Sequence, residues 1–119
     1  MLSGHSHSYE RSYLIDGYYG FTWDFNETNK KDAGDGRRRR GRSVRQTRRR
    51  VLQAHAGAVY TVAGSSGQIS GGTLDHPAMS LSSTCSAPLV IDVNGDRLDA
   101  KFLDDLGVVR DSFSIVKQP

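Results

Sequence analysis

Apolar and polar residues alternate regularly in the last quarter of the chain. Leu98, Ala100 and Phe102 are separated by charged residues, and residues 112–116 repeat the alternation after a turn at Gly107. Successive side chains of a strand point to opposite faces, so a period of two predicts strands with one buried face and one solvated face. The pattern therefore predicts two half-buried strands at the end of the protein.

A hairpin signal lies just before them. The apolar run 89–93 is followed by Asn94-Gly95 and then by the alternating run 96–103. Asn-Gly favours a two-residue turn because both of its positions need a positive φ. We therefore expect three consecutive antiparallel strands to close the chain.

An earlier strand is predicted at residues 59–63, which are β-branched, aromatic or small, and it ends at the turn residues 64–67. The sequence shows no convincing long amphipathic helix and no internal repeat. These patterns together favour a mostly β chain.

The middle of the chain differs from both ends. Residues 26–50 contain one Val and one Ala as their apolar side chains. A segment of this kind cannot bury enough surface to offset its conformational entropy. We therefore divide the chain into residues 1–25, a polar and Arg-rich insertion at 26–56 that forms a long disordered basic loop, and residues 57–119.

Charge is concentrated in the same insertion. The chain has 119 residues with 16 Lys plus Arg, 13 Asp plus Glu and a net charge of +3. Nine of the cationic residues form one tract: Arg37, Arg38, Arg39, Arg40, Arg42, Arg45, Arg48, Arg49 and Arg50. Such a tract would bind nucleic acid or another polyanion weakly and without sequence preference. The alternative is an exposed loop with no dedicated partner.

Composition excludes several classes of protein. A lone cysteine, Cys85, excludes an internal disulfide and a zinc site built from cysteines. Every apolar run is much shorter than a membrane-spanning helix, which needs about 18 residues, and no signal-peptide pattern follows Met1. We expect a soluble chain with no membrane partner, and its compartment stays open.

The sharpest chemical motif is Gly-His-Ser-His-Ser-Tyr-Glu-Arg at residues 4–11. Neutral imidazole binds Zn, Fe and Mn, and a loop that begins at Gly4 can bring His5 and His7 to one cleft. Two ligands are fewer than a catalytic ion needs. The motif alone is therefore compatible with two interpretations, a metal site or two polar histidines in a loop.

The segment Gly-His-Ser-His-Ser-Tyr-Glu-Arg-Ser, followed by Leu-Ile-Asp-Gly-Tyr-Tyr-Gly, resembles the last metal-binding segment of calcineurin-like metallophosphoesterases of the purple acid phosphatase-like branch. The resemblance continues through residues 57–68, 74–79, 92–103 and 111–117. It implies an α+β fold of two packed β-sheets flanked by helices. This chain would be the mostly β, C-terminal part of that fold, with the final metal-ligand loop in residues 1–25.

The resemblance also implies a site. His5 would bind one ion and His7 the other in a centre of two metal ions (Fe, Zn or Mn) that hydrolyses a phosphate ester. Tyr9, Glu10 and Arg11 would lie behind these ligands, with Glu10 or Arg11 ordering the loop through charge-assisted hydrogen bonds; a surface ion pair is the alternative.

The family takes its other ligands from Asp-x-His, Gly-Asp-x-x-Asp and Gly-Asn-His segments and from a further histidine. Neither Asp-x-His nor Gly-Asn-His occurs in this sequence. Most of the ligands of a dinuclear centre are therefore missing from this chain. We expect the chain alone neither to hold both ions nor to show useful phosphatase activity.

Overall fold

The computed structural model describes residues 1–32, 56–70 and 72–118, together with the backbone of residues 44–47. The described part is mostly β, in three small sheets. Its strands are β1 Leu2–Ser3, β2 Tyr9–Ser12, β3 Leu14–Ile15, β4 Lys30–Asp32, β5 Val44–Thr47, β6 Thr61–Ala63, β7 Met79–Ser83, β8 Leu89–Asn94, β9 Arg97–Leu103 and β10 Val109–Gln118. Short 3₁₀ helices span Thr22–Asp24 and Glu27–Asn29.

The C-terminal sheet has the strand order β5-β10-β9-β8. β8 pairs with β9, and β9 pairs with β10, both antiparallel, so the prediction of three closing antiparallel strands is confirmed. Gly95 lies in the turn between β8 and β9 with a φ of 57°, the left-handed conformation that the Asn-Gly turn requires.

The N-terminal sheet has the order β1-β6-β2-β7, with the motif residues of β2 in its interior. β6 is shorter than the predicted strand, because it covers Thr61–Ala63 alone, although Ala58 forms an isolated bridge with Ile15. β7 pairs with β2 but gives no clear sequence signal, since residues 79–83 read Met-Ser-Leu-Ser-Ser.

The prediction of one continuous disordered insertion is wrong for the described part of residues 26–56. β4 pairs with β3, and β5 runs parallel to β10 with Val44 opposite Ile115. Their backbone groups form ladder bonds with neighbouring strands, so these polar residues need little apolar burial of their own. The prediction of a mostly β chain is confirmed for the described ranges, where the helical structure is confined to short 3₁₀ turns; the flanking helices were expected of the complete α+β fold and stay a prediction.

Two apolar clusters fill the interior of the part of the chain that the structure describes. In one, the rings of Tyr9 and Phe102 stack with their centres 3.9 Å apart and Ala87 packs beside them. The other is formed by the buried side chains of Leu14, Val59, Ala100 and Phe113. Because each cluster joins residues of the N-terminal half to the C-terminal sheet, burial of these side chains holds the two sheets together. No helix within the described residues is long and apolar enough to cross a membrane.

Candidate metal-ligand loop and its surroundings

The histidine loop, residues 4–8, connects β1 to β2 through a series of bends. His5 is exposed and His7 is half-buried. Two backbone hydrogen bonds fix the loop from outside: the Gly64 N–H donates to the Ser8 carbonyl at 3.1 Å, and the Ser70 N–H donates to the His7 carbonyl at 3.2 Å. The loop thus has a defined path although its side chains are small or polar.

Gly64 permits this path because it has no side chain. A Cβ at position 64 would lie 1.8 Å from the Ser6 carbonyl oxygen and 2.5 Å from that of Gly4. Both atoms belong to the backbone, so no rotamer change could relieve the overlap. The glycine that follows β6 therefore allows the histidine loop to lie directly against the chain.

Neither imidazole of the loop takes part in a hydrogen bond or ion pair with the described residues. The other described histidine, His76, is engaged through both ring nitrogens. Neutral imidazoles whose nitrogens are not used in hydrogen bonds are suitable metal ligands. No group of three or more His, Cys, Asp or Glu side chains that could hold an ion occurs within the described ranges.

Tyr9 and Arg11 point into the protein from β2 and meet Asp111 of β10. The Tyr9 hydroxyl donates to Asp111 Oδ2 at 2.8 Å. Arg11 donates to the same carboxylate from Nε at 2.8 Å and from Nη2 at 3.1 Å. All three residues are buried, and burial, followed by the charge of Asp111, raises the pKa of Tyr9 far above its usual value. This buried network joins the two sheets.

Glu10 lies on the opposite face of β2. Its carboxylate accepts hydrogen bonds from the Ser8 hydroxyl at 3.3 Å and from the Ser82 hydroxyl at 3.4 Å, and Ser8 is in turn bonded to Ser6 at 3.2 Å. Of the three residues expected to lie behind the ligands, Glu10 therefore makes the contact with the histidine loop. Tyr9 and Arg11 contact Asp111 on the other side of the sheet.

Ser65 follows Gly64 and is fully buried. Its hydroxyl has no hydrogen-bond partner in the described part of the chain. An unsatisfied buried hydroxyl costs about 1–3 kcal/mol, and such groups are often associated with function or with an ordered water. The segment that supports the histidine loop thus holds an unused polar group.

The sequence analysis missed a cavity of about 590 Å³ on the same side of the sheet as Glu10. Its walls include Tyr18, Tyr19, Tyr60 and His76. These residues are distant in sequence, and only the Gly-Tyr-Tyr-Gly run at residues 17–20 hints at an aromatic site. The cavity depends on tertiary packing between β6 and two loops.

The Arg tract lies outside the described residues, except that the backbone of Arg45 belongs to β5, opposite Val116 of β10. Polyanion binding by the tract therefore stays a prediction. The letters Gly-Asp-x-x-Asp do occur at residues 95–99, but they form the β8–β9 turn and the start of β9, where the Asp99 carboxylate is paired with Arg97 at 2.7 Å.

No family model matches the chain, and comparison with curated proteins and with solved structures found no match. The resemblance to metallophosphoesterases therefore remains a prediction that rests on the residues quoted for it.

Proposed function

We propose that this chain is the C-terminal part of a metal-dependent phosphoesterase and supplies two histidine ligands, His5 and His7, to a centre of two ions. The proposal is carried by one observation: a loop fixed by its backbone presents two imidazoles that the described residues leave uncommitted. The complete enzyme would have the α+β fold of two sheets flanked by helices. Its substrate would be a phosphate ester.

The residues of this chain hold and orient the ligands. Gly64 and Ser70 bind the backbone of the histidine loop, and Glu10 accepts a hydrogen bond from Ser8 at the loop's end. The buried Arg11–Asp111 pair fixes β2 behind the loop. When bound, ions of Fe, Zn or Mn would activate a water molecule and neutralise charge on the phosphate oxygens. The further ligands would come from polypeptide outside this sequence, since two imidazoles hold an ion only weakly.

The proposal can be tested by titrating the 119-residue protein with Zn²⁺ and recording the imidazole resonances by ¹H–¹⁵N NMR. We expect the signals of both His5 and His7 to shift in a saturable manner and with weak affinity, because each ring is a single ligand to its own ion, whereas the signal of His76 stays in place because both of its nitrogens are engaged. His76 thus serves as a control within the same sample. We expect no hydrolysis of a phosphate ester at any Zn²⁺ concentration.

The variants His5→Ala and His7→Ala complete the test. Each should remove the response at its own position and leave the response of the other loop histidine, while its unfolding free energy stays within about 0.5 kcal/mol of the parent, because neither ring is buried. If Zn²⁺ moves neither signal, or moves the signal of one loop histidine and never that of the other, the two-ligand proposal is wrong. Turnover by the isolated chain would instead disprove the claim that its ligand set is incomplete.

A further inference from the structure

The aromatic cavity lies on the outer face of the N-terminal sheet. Tyr60 and Val62 line it from the strand side, residues 15–19 close it on one side, and residues 76–79 close it on another. Its volume of about 590 Å³ lies within the range of small-molecule sites, which are about 300–1,000 Å³. Tyr19 is 95% exposed and Tyr60 is 42% exposed, so both rings are accessible to a ligand.

Hydrogen bonds fix one wall of the cavity, and they determine which nitrogen of the His76 ring carries the proton. The Ala78 N–H donates to His76 Nδ1 at 3.1 Å, so this nitrogen is the acceptor and the proton of the neutral ring lies on Nε2. His76 Nε2 is 3.1 Å from the Tyr18 hydroxyl, which itself donates to the Phe21 carbonyl at 2.7 Å. Nε2–H therefore donates to Tyr18. A fixed neutral imidazole and a fixed phenol form a rigid wall.

The charge of the walls excludes a phosphate group as the occupant. No Lys or Arg of the described residues lines the cavity, and the charged residue that does, Asp16, is acidic. A dianionic phosphate is bound most strongly by cationic side chains, and the described residues of these walls provide none. Tyrosine rings stack instead on other flat rings, with a gain of about 0.5–1.5 kcal/mol beyond the burial of apolar area.

The cavity shares a face of the sheet with the histidine loop. Val62, which lines the cavity, lies directly opposite Glu10 in the β6–β2 ladder, and directly opposite residues project to the same face. Glu10 in turn accepts the hydrogen bond from Ser8 of the histidine loop. Glu10 therefore links the end of the histidine loop to a strand position that lines the cavity.

We propose that the cavity binds an uncharged aromatic ring, and that this ring is the organic part of the phosphate ester hydrolysed at the histidine loop. The second half of the statement rests on the proposed function, whereas binding of the ring does not. The substrate class is then an aryl or similarly flat aromatic phosphate ester rather than a simple alkyl one.

The metal-free 119-residue protein provides the test, with 2-naphthol as the probe and decahydro-2-naphthol as its saturated analogue of similar size. We expect saturable binding of 2-naphthol, followed by NMR, that shifts the signals of Tyr18, Tyr60 and His76. The saturated alcohol should bind about fivefold more weakly because it cannot stack. Equal affinity for the two alcohols would disprove selection of an aromatic ring.

Variants locate the binding. Tyr19→Leu removes an aromatic ring that is almost fully exposed, so its loss leaves the packing of the protein intact. Tyr60→Leu removes the ring on the strand side of the cavity. Each should weaken 2-naphthol binding about fivefold. The matched control Phe21→Leu alters an exposed aromatic residue that does not line the cavity and should leave the affinity unchanged. Equal affinities in all three variants would overturn the proposal.

The two proposals fail separately. His5→Ala and His7→Ala should leave 2-naphthol binding unchanged, because the cavity walls do not include either residue. Ring binding without a Zn²⁺ response at the loop would refute the metal-ligand proposal and leave the cavity as an aromatic site. A Zn²⁺ response without ring binding would refute the proposal about the cavity and leave the metal-ligand proposal standing.

Discussion

The side chains on the two faces of β2 make different kinds of contact, although they belong to one short motif. Tyr9 and Arg11 face the interior and form a buried network with Asp111, whereas Glu10 faces outward and contacts the histidine loop through Ser8. The inner face fixes the strand between the two sheets, and the outer face connects the strand to the preceding loop, which carries His5 and His7. A contiguous motif can therefore contain structural and chemical residues side by side, separated by the alternation of the strand.

The largest expected effect comes from breaking the inner network. Asp111→Ala leaves the buried Arg11 guanidinium and the Tyr9 hydroxyl without this carboxylate, and losing one partner of a buried ion pair costs about 3–5 kcal/mol. Urea unfolding followed by circular dichroism measures the loss of stability. A protein of this size with a thin core is then expected to be largely unfolded.

The double variant Arg11→Met/Asp111→Leu serves as the control. It removes both charges together, so no uncompensated charge stays buried, and it should be more stable than Asp111→Ala. If the single variant retained the stability of the parent, the network would not be what joins the sheets.

A smaller effect is expected where the two regions meet. Gly64→Ala places a methyl group on the Ser6 and Gly4 carbonyls, so the histidine loop must move, and overpacking of this kind costs about 1–3 kcal/mol. NMR should show shifts of His5 and His7 with little change at Phe102. The matched control Gly67→Ala adds a methyl group at a position with open space around it. Equal effects of both substitutions would argue against the close approach.

The smallest effect concerns the Tyr9 hydroxyl. Tyr9→Phe removes one hydrogen bond to Asp111 and should cost about 1 kcal/mol at neutral pH. Because burial raises the pKa of Tyr9 in the folded protein, the unfolded chain loses this proton first as the pH rises. The stabilisation by the protonated hydroxyl is complete below the unfolded pKa of about 10 and decreases progressively above it.

Urea unfolding midpoints between neutral and alkaline pH test this dependence. The parent should lose stability above about pH 10 more steeply than Tyr9→Phe, in which the other tyrosines still titrate. Parallel curves for the two proteins would show that Tyr9 does not retain its proton through the network.

The C-terminal hairpin could be predicted because its determinants are local. Asn94-Gly95 fixes the turn, and the alternation of residues 98–102 fixes which face is buried. β7 could not be predicted, since a polar strand such as residues 79–83 is held by its pairing with β2 rather than by its own apolar content. The same reason explains why β4 and β5 were expected to lie in a disordered loop.

Local patterns were sufficient to predict the closing antiparallel strands and to identify His5 and His7 as candidate ligands, because turn chemistry, alternation and residue type act over a few neighbouring positions. The three-dimensional packing was needed to show that Arg11 pairs with Asp111, that Gly64 supports the histidine loop and that Tyr18, Tyr60 and His76 surround one cavity. These contacts join residues that are far apart along the chain, and they depend on how the strands pair and how the sheets pack. No local pattern carries that information.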